Sequence, residues 1–209
     1  MTTSPLHERI RDRAAHAGIE VDSAMSDRLS TYYLLLERWN RTINLTALPL
    51  MGYPDQTIDR LIVEPLIAAQ HMPDSSVRWF DLGSGGGSPA IPLKIARPEA
   101  RLTMVESRER KAAFLREAAR SLELSDTEVL AARIEDALPA WAGTVDVVTI
   151  RALNLDQILA PACSLLRIGG KLVLFKATNP IDFSDFRMKS LGKWPLPTEA
   201  ELLILEKTG

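Results

Sequence analysis

Three features of this sequence combine residue types and spacings that could do chemistry. The first is Asp81-Leu-Gly-Ser-Gly-Gly-Gly-Ser-Pro89, which follows an apolar run holding Val77, Trp79, Phe80 and Leu82. Ser88-Pro89 reads as an N-cap with proline in the first helical turn, so the stretch spells strand, tight turn, helix. Glycines accept positive φ and let a ligand lie against the backbone, while N–H groups at a helix start attract an anionic or electron-rich group. The second is Glu106, which ends Arg101-Leu-Thr-Met-Val-Glu106, 23 residues after Gly83. An acid at the end of the second strand of a nucleotide-binding fold hydrogen-bonds the ribose hydroxyls. The third is Arg151, directly after Val145-Asp-Val-Val-Thr-Ile150. An arginine ending a buried strand needs a partner, because an unpaired buried guanidinium is costly. Glu64, a substrate phosphate or a cofactor carboxylate could each serve.

The turn's spacing separates two cofactor classes. A dinucleotide-binding turn wants Gly-x-Gly-x-x-Gly, or a final Ala, so that helix and strand pack closely over a pyrophosphate. Counting from Gly83, that third small position is Ser88. Asp81-x-Gly83-x-Gly85-x-Gly87 instead resembles motif I of the S-adenosylmethionine-dependent methyltransferases with the Rossmann-like fold. Gly83, Gly85, Gly87 and Ser88 are therefore cofactor-binding candidates.

These residues need a scaffold, and the bulk properties bound it. At 209 residues with 46% hydrophobic content, the chain can bury one sizeable core and a small appendage. A net charge of −2 advertises no polyanion partner by itself, and the single Cys163 excludes an internal disulfide framework and fits a reducing compartment. The first ten residues are too polar for a signal peptide, and no run of about 18 apolar residues exists to span a bilayer. The expectation is a cytoplasmic protein, and a monomer, since no apolar stripe is left over for a partner.

Residues 1 to about 75 read as a helical cap belonging to the same compact unit as the core that follows. Ser4-Pro5 caps a helix stopped by Gly18, and Ser26 caps a second with Leu29, Tyr32, Tyr33, Leu36 and Trp39 at helical spacing. That stripe reads as core, with base stacking by Tyr33 or Trp39 as the alternative. Asn40, Asn44 and Thr46 shape a turn. A third helix over residues 57–70 carries Pro65, which predicts a kink or a break. From residue 76 onward strands near 77–82, 101–106, 127–131, 145–150 and 171–176 alternate with helices near 89–96, 109–121, 135–141 and 155–166. That alternation is α/β, with a parallel sheet and crossover helices on both faces. After a clipped final crossover, Glu201–Lys207 reads as a last strand antiparallel to the run before Pro195. Ligands of such sheets sit beyond the carboxyl ends of the strands. Arg133-Ile-Glu-Asp136 and Arg151 both fall there. Glu135 or Asp136 either caps a short helix or, with Ile134 as an apolar wall, brackets an adenine.

Six stretches together carry a more specific likeness: residues 38–46 (Arg-Trp-Asn-Arg-Thr-Ile-Asn-Leu-Thr), 60–66, 81–93, 107–115, 133–135 and 150–152. In that order they resemble the successive signatures of the GidB/RsmG family. Its members are bacterial enzymes that use S-adenosylmethionine to methylate N7 of a guanine in 16S ribosomal RNA. The resemblance implies a Rossmann-like methyltransferase fold with a mostly parallel, seven-stranded sheet. It implies cofactor contacts at Gly83, Ser88, Ile134, Glu135 and Arg151, with Glu106 in the ribose place and no metal. The chain also departs from the family pattern: Ser88 replaces a bulky apolar residue of the turn, and Leu61, Glu64 and Pro65 stand in for His, Asp and Ser.

Guanine N7 carries a lone pair and loses no proton before attack, so positioning can supply catalysis without a general base. Arg151 is the candidate orienting residue, for the cofactor carboxylate or for the RNA. Small-subunit ribosomal RNA, free or in the 30S particle, is the implied partner. Arg38 and Arg41 on the cap, with Arg108, Arg110, Lys111 and Arg116 along one helix, are the cations that could meet its phosphates or stack on its bases. Two rivals remain: a methyltransferase of the same fold with another RNA or small-molecule substrate, and a noncatalytic RNA-binding or assembly factor.

Overall fold

The computed structural model describes residues 5–73, 75–137, 139–176 and 183–209. Seven strands form one sheet in the order β3-β2-β1-β4-β5-β7-β6. They are β1 (Arg78–Leu82), β2 (Arg101–Val105), β3 (Thr127–Leu130), β4 (Val145–Arg151), β5 (Leu166–Lys176), β6 (Met188–Pro195) and β7 (Glu201–Lys207). Strands β1 to β5 run parallel, and β7 enters antiparallel between β5 and β6. β1, β4 and much of β5 are buried on both faces, which explains their near-continuous apolar runs. The expected antiparallel pairing of the last two strands is present. β5 starts five residues earlier than expected: Leu166 already pairs with Val145, the register then shifts, and Lys171 pairs with Val147. Gly169, at φ +76, and Gly170 lie in the shifted stretch, where a Cβ on Gly170 would stand 2.9 Å from the Val145 carbonyl.

The amino-terminal segment packs onto this sheet through a single buried cluster that joins Leu6, Ile10, Tyr32 and Ile62 to Trp79, Leu102 and Phe114. Its helices are α1 (Pro5–His16), α2 (Ser23–Asn40), α3 (Asp55–Ile58) and α4 (Glu64–Ala69), with a π-turn at Asp59–Val63 between the last two. Arg13 clamps α1 onto that turn through two bonds to Asp59, at 2.8 and 2.5 Å. Ser26 does not cap α2. Asp22 does, accepting from the Met25 amide at 2.7 Å, because an Asp one residue before the helix reaches that orphan N–H while Ser26 is already inside and buried. Ser4, assigned to a helix start above, lies outside the described residues. The remaining helices are α5 (Ala90–Ala96), α6 (Glu109–Ser121), α7 (Ile134–Ala137) and α8 (Leu155–Leu165).

Between β1 and α5 the glycine turn makes the close approach its composition suggests. Gly87 sits at φ +85, and a Cβ there would lie 2.5 Å from Ile91 Cδ1, whereas at Gly85 (φ +53) the nearest atom would be 3.7 Å away. Gly87 is thus a packing glycine and Gly85 a conformational one. Gly87→Ala should destabilise the protein by about 2 kcal/mol or more, and Gly85→Ala by about 1 kcal/mol. Urea unfolding of the two variants checks the order.

Candidate active site

A cleft of about 760 Å³ opens at the carboxyl ends of β1, β2 and β4, where the strand order reverses. Gly83, Gly85, Ser88, Glu106, Ile134, Glu135 and Arg151 all line it. Gly87 does not: it turns toward Ile91 in α5. Arg108 and Lys111 also reach the cleft wall, as do Arg60 and Arg133.

Arg151 finds the first of the three partners considered for it. Its Nη2 donates to Glu64 Oε2 at 2.9 Å, and its Nη1 donates to Ser88 Oγ at 3.1 Å and to the Arg60 carbonyl. The guanidinium also lies 4.1 Å from the centre of the Phe175 ring. Burial pulls its pKa down to about 10 while Glu64 pushes it back up, so it stays cationic at neutral pH. The second feature of the site comes from Pro65. Proline has no N–H to return to the preceding turn, so a carbonyl there is left without that helical donor. The Leu61 and Arg60 carbonyls, four and five residues back, accept from Ser88 Oγ, at 2.9 Å, and from Arg151. Ser88 therefore ties the glycine turn to the cap rather than capping α5, whose N-cap position is held by Pro89, with no side-chain cap bond.

The turn's own amides are largely spent. Gly83 and Ser84 donate to the Val105 carbonyl, Gly87 donates to the Ser84 carbonyl, and Gly85 donates to Glu106 Oε2 at 2.9 Å. Glu106 Oε1 accepts from the Arg108 amide at 2.8 Å. One carboxylate thus braces the turn and the start of α6, and each oxygen keeps lone-pair capacity for a further donor. Behind the turn, Asp81 is buried. Its Oδ1 accepts from Thr149, which also takes the Trp79 indole N–H at 2.9 Å, while its Oδ2 has no partner. On the cap side, Tyr32 donates to the Gly86 carbonyl at 2.8 Å, and a Cβ on Gly86 would stand 3.1 Å from the Leu45 carbonyl. Asn40 sets that loop by accepting from the Leu45 and Thr46 amides at 2.8 and 3.0 Å and donating to the Thr46 carbonyl. Asn44, grouped with it in the sequence, is exposed and makes no such bond.

Leu36, Leu45, Thr46 and Leu48 of the cap form one cleft wall, which no local pattern announced. The two groups of candidate cations meet: Arg110 donates to the Thr42 carbonyl at 3.3 Å, and Trp39 packs edge-on to Phe114. Arg38, Arg41, Arg108 and Arg110 are exposed, Arg41 lying 3.5 Å from Glu37, whereas Arg116 is paired with Glu109 at 2.8 Å. Tyr33 is core, fully buried with its hydroxyl on the Leu50 carbonyl.

Burial raises the Asp81 carboxyl to about 6, and the nearby Ser84 hydroxyl and the Thr149 hydrogen bond offset this only in part. A carboxyl whose folded pKa lies above its unfolded value keeps its proton longer when folded. Stability therefore falls as pH rises from about 4 to about 6, and the penalty, on the order of 3 kcal/mol, persists above. Asp81→Asn should remove that slope, so its stability relative to wild type improves across this window and then levels off. Denaturant melts at pH 4, 5, 6 and 7 test it.

The chain matches the family model described as GidB, rRNA small subunit methyltransferase G, over residues 25–189. It is 42% identical over 163 residues to the ribosomal RNA small subunit methyltransferase G of Xanthomonas axonopodis pv. citri, covering 77% of this chain and 73% of that one. The protein of the same name from Neisseria gonorrhoeae is 34% identical over 174 residues, covering 83% and 81%. Among solved structures, a SAM-dependent methyltransferase from Aquifex aeolicus superposes with a TM-score of 0.56 at 14% identity, over 70% of this chain and 90% of that one, a likeness of fold alone. With the family signatures running through the cap, the glycine turn and the end of β4, the chain belongs to the GidB family of small-subunit ribosomal RNA methyltransferases.

Proposed function

We propose that the protein transfers a methyl group from S-adenosylmethionine to N7 of a guanine in small-subunit ribosomal RNA. The observation that carries this reading is the Glu106 carboxylate, fixed by the Gly85 and Arg108 amides at the floor of the cleft and still able to accept from a ribose. The residues present fit the cofactor. A backbone approach is open at Gly85, Ile134 offers a half-buried apolar wall for an adenine, and Glu135 an exposed acceptor beside it. S-adenosylmethionine, when bound, supplies an electrophilic methyl group.

The chain's own residues hold and orient. Arg151 fastens Ser88 and the Arg60 carbonyl while Glu64 balances its charge, which makes it a positioning residue for the turn. N7 attacks through a lone pair without losing a proton, so the walls need only keep nucleophile and methyl in line. Arg60, Arg108, Lys111 and Arg133 outnumber Glu106 and Glu135 around the cleft, and Arg41 and Arg110 extend that field along the cap. Such a rim suits RNA phosphates, as naked RNA or in a 30S particle. The same reading makes the protein a cytoplasmic monomer. No helix among the described residues is long and apolar enough to cross a membrane.

Labelled methyl transfer to small-subunit RNA lacking the modification, followed by mapping of the product, tests the assignment. The expected product is N7-methylguanine at one position; transfer to another base, or none, removes the reading. RNA affinity should fall steeply with salt, and Arg108→Ala or Lys111→Ala should each lower the slope of log affinity against log salt by about one.

A further inference from the structure

A second cleft, about 370 Å³, lies beside the first and shares Arg60, Ala152 and Leu153 with it. Leu153 is the divider. Its methyl groups sit 2.8 Å from where a Cβ of Gly83 would be, so it stands against the glycine turn on one side and faces the second cleft on the other. Ala152, at φ +56, turns the chain between them: Arg151 lines only the first cleft, and Asn154, Leu155 and Asp156 line only the second. The walls of the second cleft are mostly apolar, with Ile150, Leu155, Leu174 and Phe175 among them.

Its polar residues are committed elsewhere, with one exception. Asn154 caps α8 by accepting from the Asp156 amide at 3.2 Å, Lys176 pairs with Glu201 at 2.5 Å, and Arg60 lies 3.2 Å from Glu64. The Asp156 carboxylate is exposed and makes no hydrogen bond or ion pair among the described residues. An apolar slot adjoining the first cleft, with a carboxylate that is unpaired among the described residues, suits guanine. Guanine carries N1–H and an N2 amino group on the edge remote from N7, and a carboxylate accepts from both. Adenine would present a lone pair at N1 to the same carboxylate.

Resting on the function proposed above, we infer that the second cleft takes the target guanine and that Asp156 reads its N1–H and N2 amino group while N7 faces the first cleft. Asp156 is then a specificity-determining residue.

The test uses small-subunit RNA carrying guanine or inosine at the mapped position, since inosine keeps N7 and lacks the N2 amino group. Wild type should prefer guanine by about tenfold or more in kcat/KM, the scale of one charge-assisted hydrogen bond. Asp156→Ala and Asp156→Asn should bring guanine down to the inosine level while Tm and S-adenosylmethionine binding stay at wild-type values. Equal use of the two bases by wild type, or a preference surviving in both variants, overturns the inference and leaves N7 methylation standing. Unfolding of both variants would make Asp156 structural and overturn it too. Absence of any N7 methylation by wild type removes the function and this inference together.

Discussion

The carboxylate of Glu64 is fully buried, and the active-site architecture depends on how it is neutralised. Arg151 reaches it from the end of β4 at 2.9 Å, Arg60 from the preceding turn at 3.2 Å, and Thr198 from the loop between β6 and β7. An uncompensated buried charge costs several kcal/mol, so these three segments must dock together or leave the charge exposed to that penalty. A buried ion pair is weak evidence for stability, and its value here is geometric. With Nη2 of the guanidinium aimed at Glu64, Nη1 is directed at Ser88 and the Arg60 carbonyl, and the glycine turn acquires a fixed distance from the cap.

Pro65 shows both how far the sequence can be read and where reading stops. A proline inside a helical pattern predicts a kink or a break, and the chain instead runs on as helix through a π-turn that ends just before Glu64. What the pattern cannot show is which donors the Leu61 and Arg60 carbonyls find, because Ser88 and Arg151 lie 27 and 91 residues away along the chain. Ser88 was legible as a local cap since Ser-Pro before a helix has that meaning in isolation. Tertiary competition from the Leu61 carbonyl overrides it.

Four of the sequence-derived candidates that line the cleft share one property: their position follows from strand periodicity and from the rule that ligands lie beyond strand ends. Glu106, Ile134 and Glu135 follow strands and Arg151 ends one, and all line the cleft. The cap's contribution has no such rule. Leu36, Leu45 and Leu48 look like ordinary core or loop residues, and they form one cleft wall where the loop that Asn40 ties down meets α2 beside Gly86. Gly86 itself stands outside the Asp-x-Gly-x-Gly-x-Gly spacing, and a side chain there would meet the Leu45 carbonyl. Inserting β7 between β5 and β6 is equally illegible from local pattern, since either order satisfies the same alternation.

Two kinds of charge surround the cleft, and their burial assigns them different work. Arg108 and Arg110 are exposed at the rim, whereas Asp81, Glu106 and Arg151 are buried. Solvated cations attract phosphates at long range and hold them without strict geometry, which strengthens binding of substrate and transition state alike and so does not lower the barrier between them. Alignment of a nucleophile with a methyl group needs walls that do not shift by an ångström, and only groups locked by several partners provide that. Losing a rim cation should therefore register mainly in RNA affinity. Losing Arg151 should register in folding stability and turnover together, because its bonds to Ser88, Glu64 and the Arg60 carbonyl hold the glycine turn in place and hold the cap to the sheet.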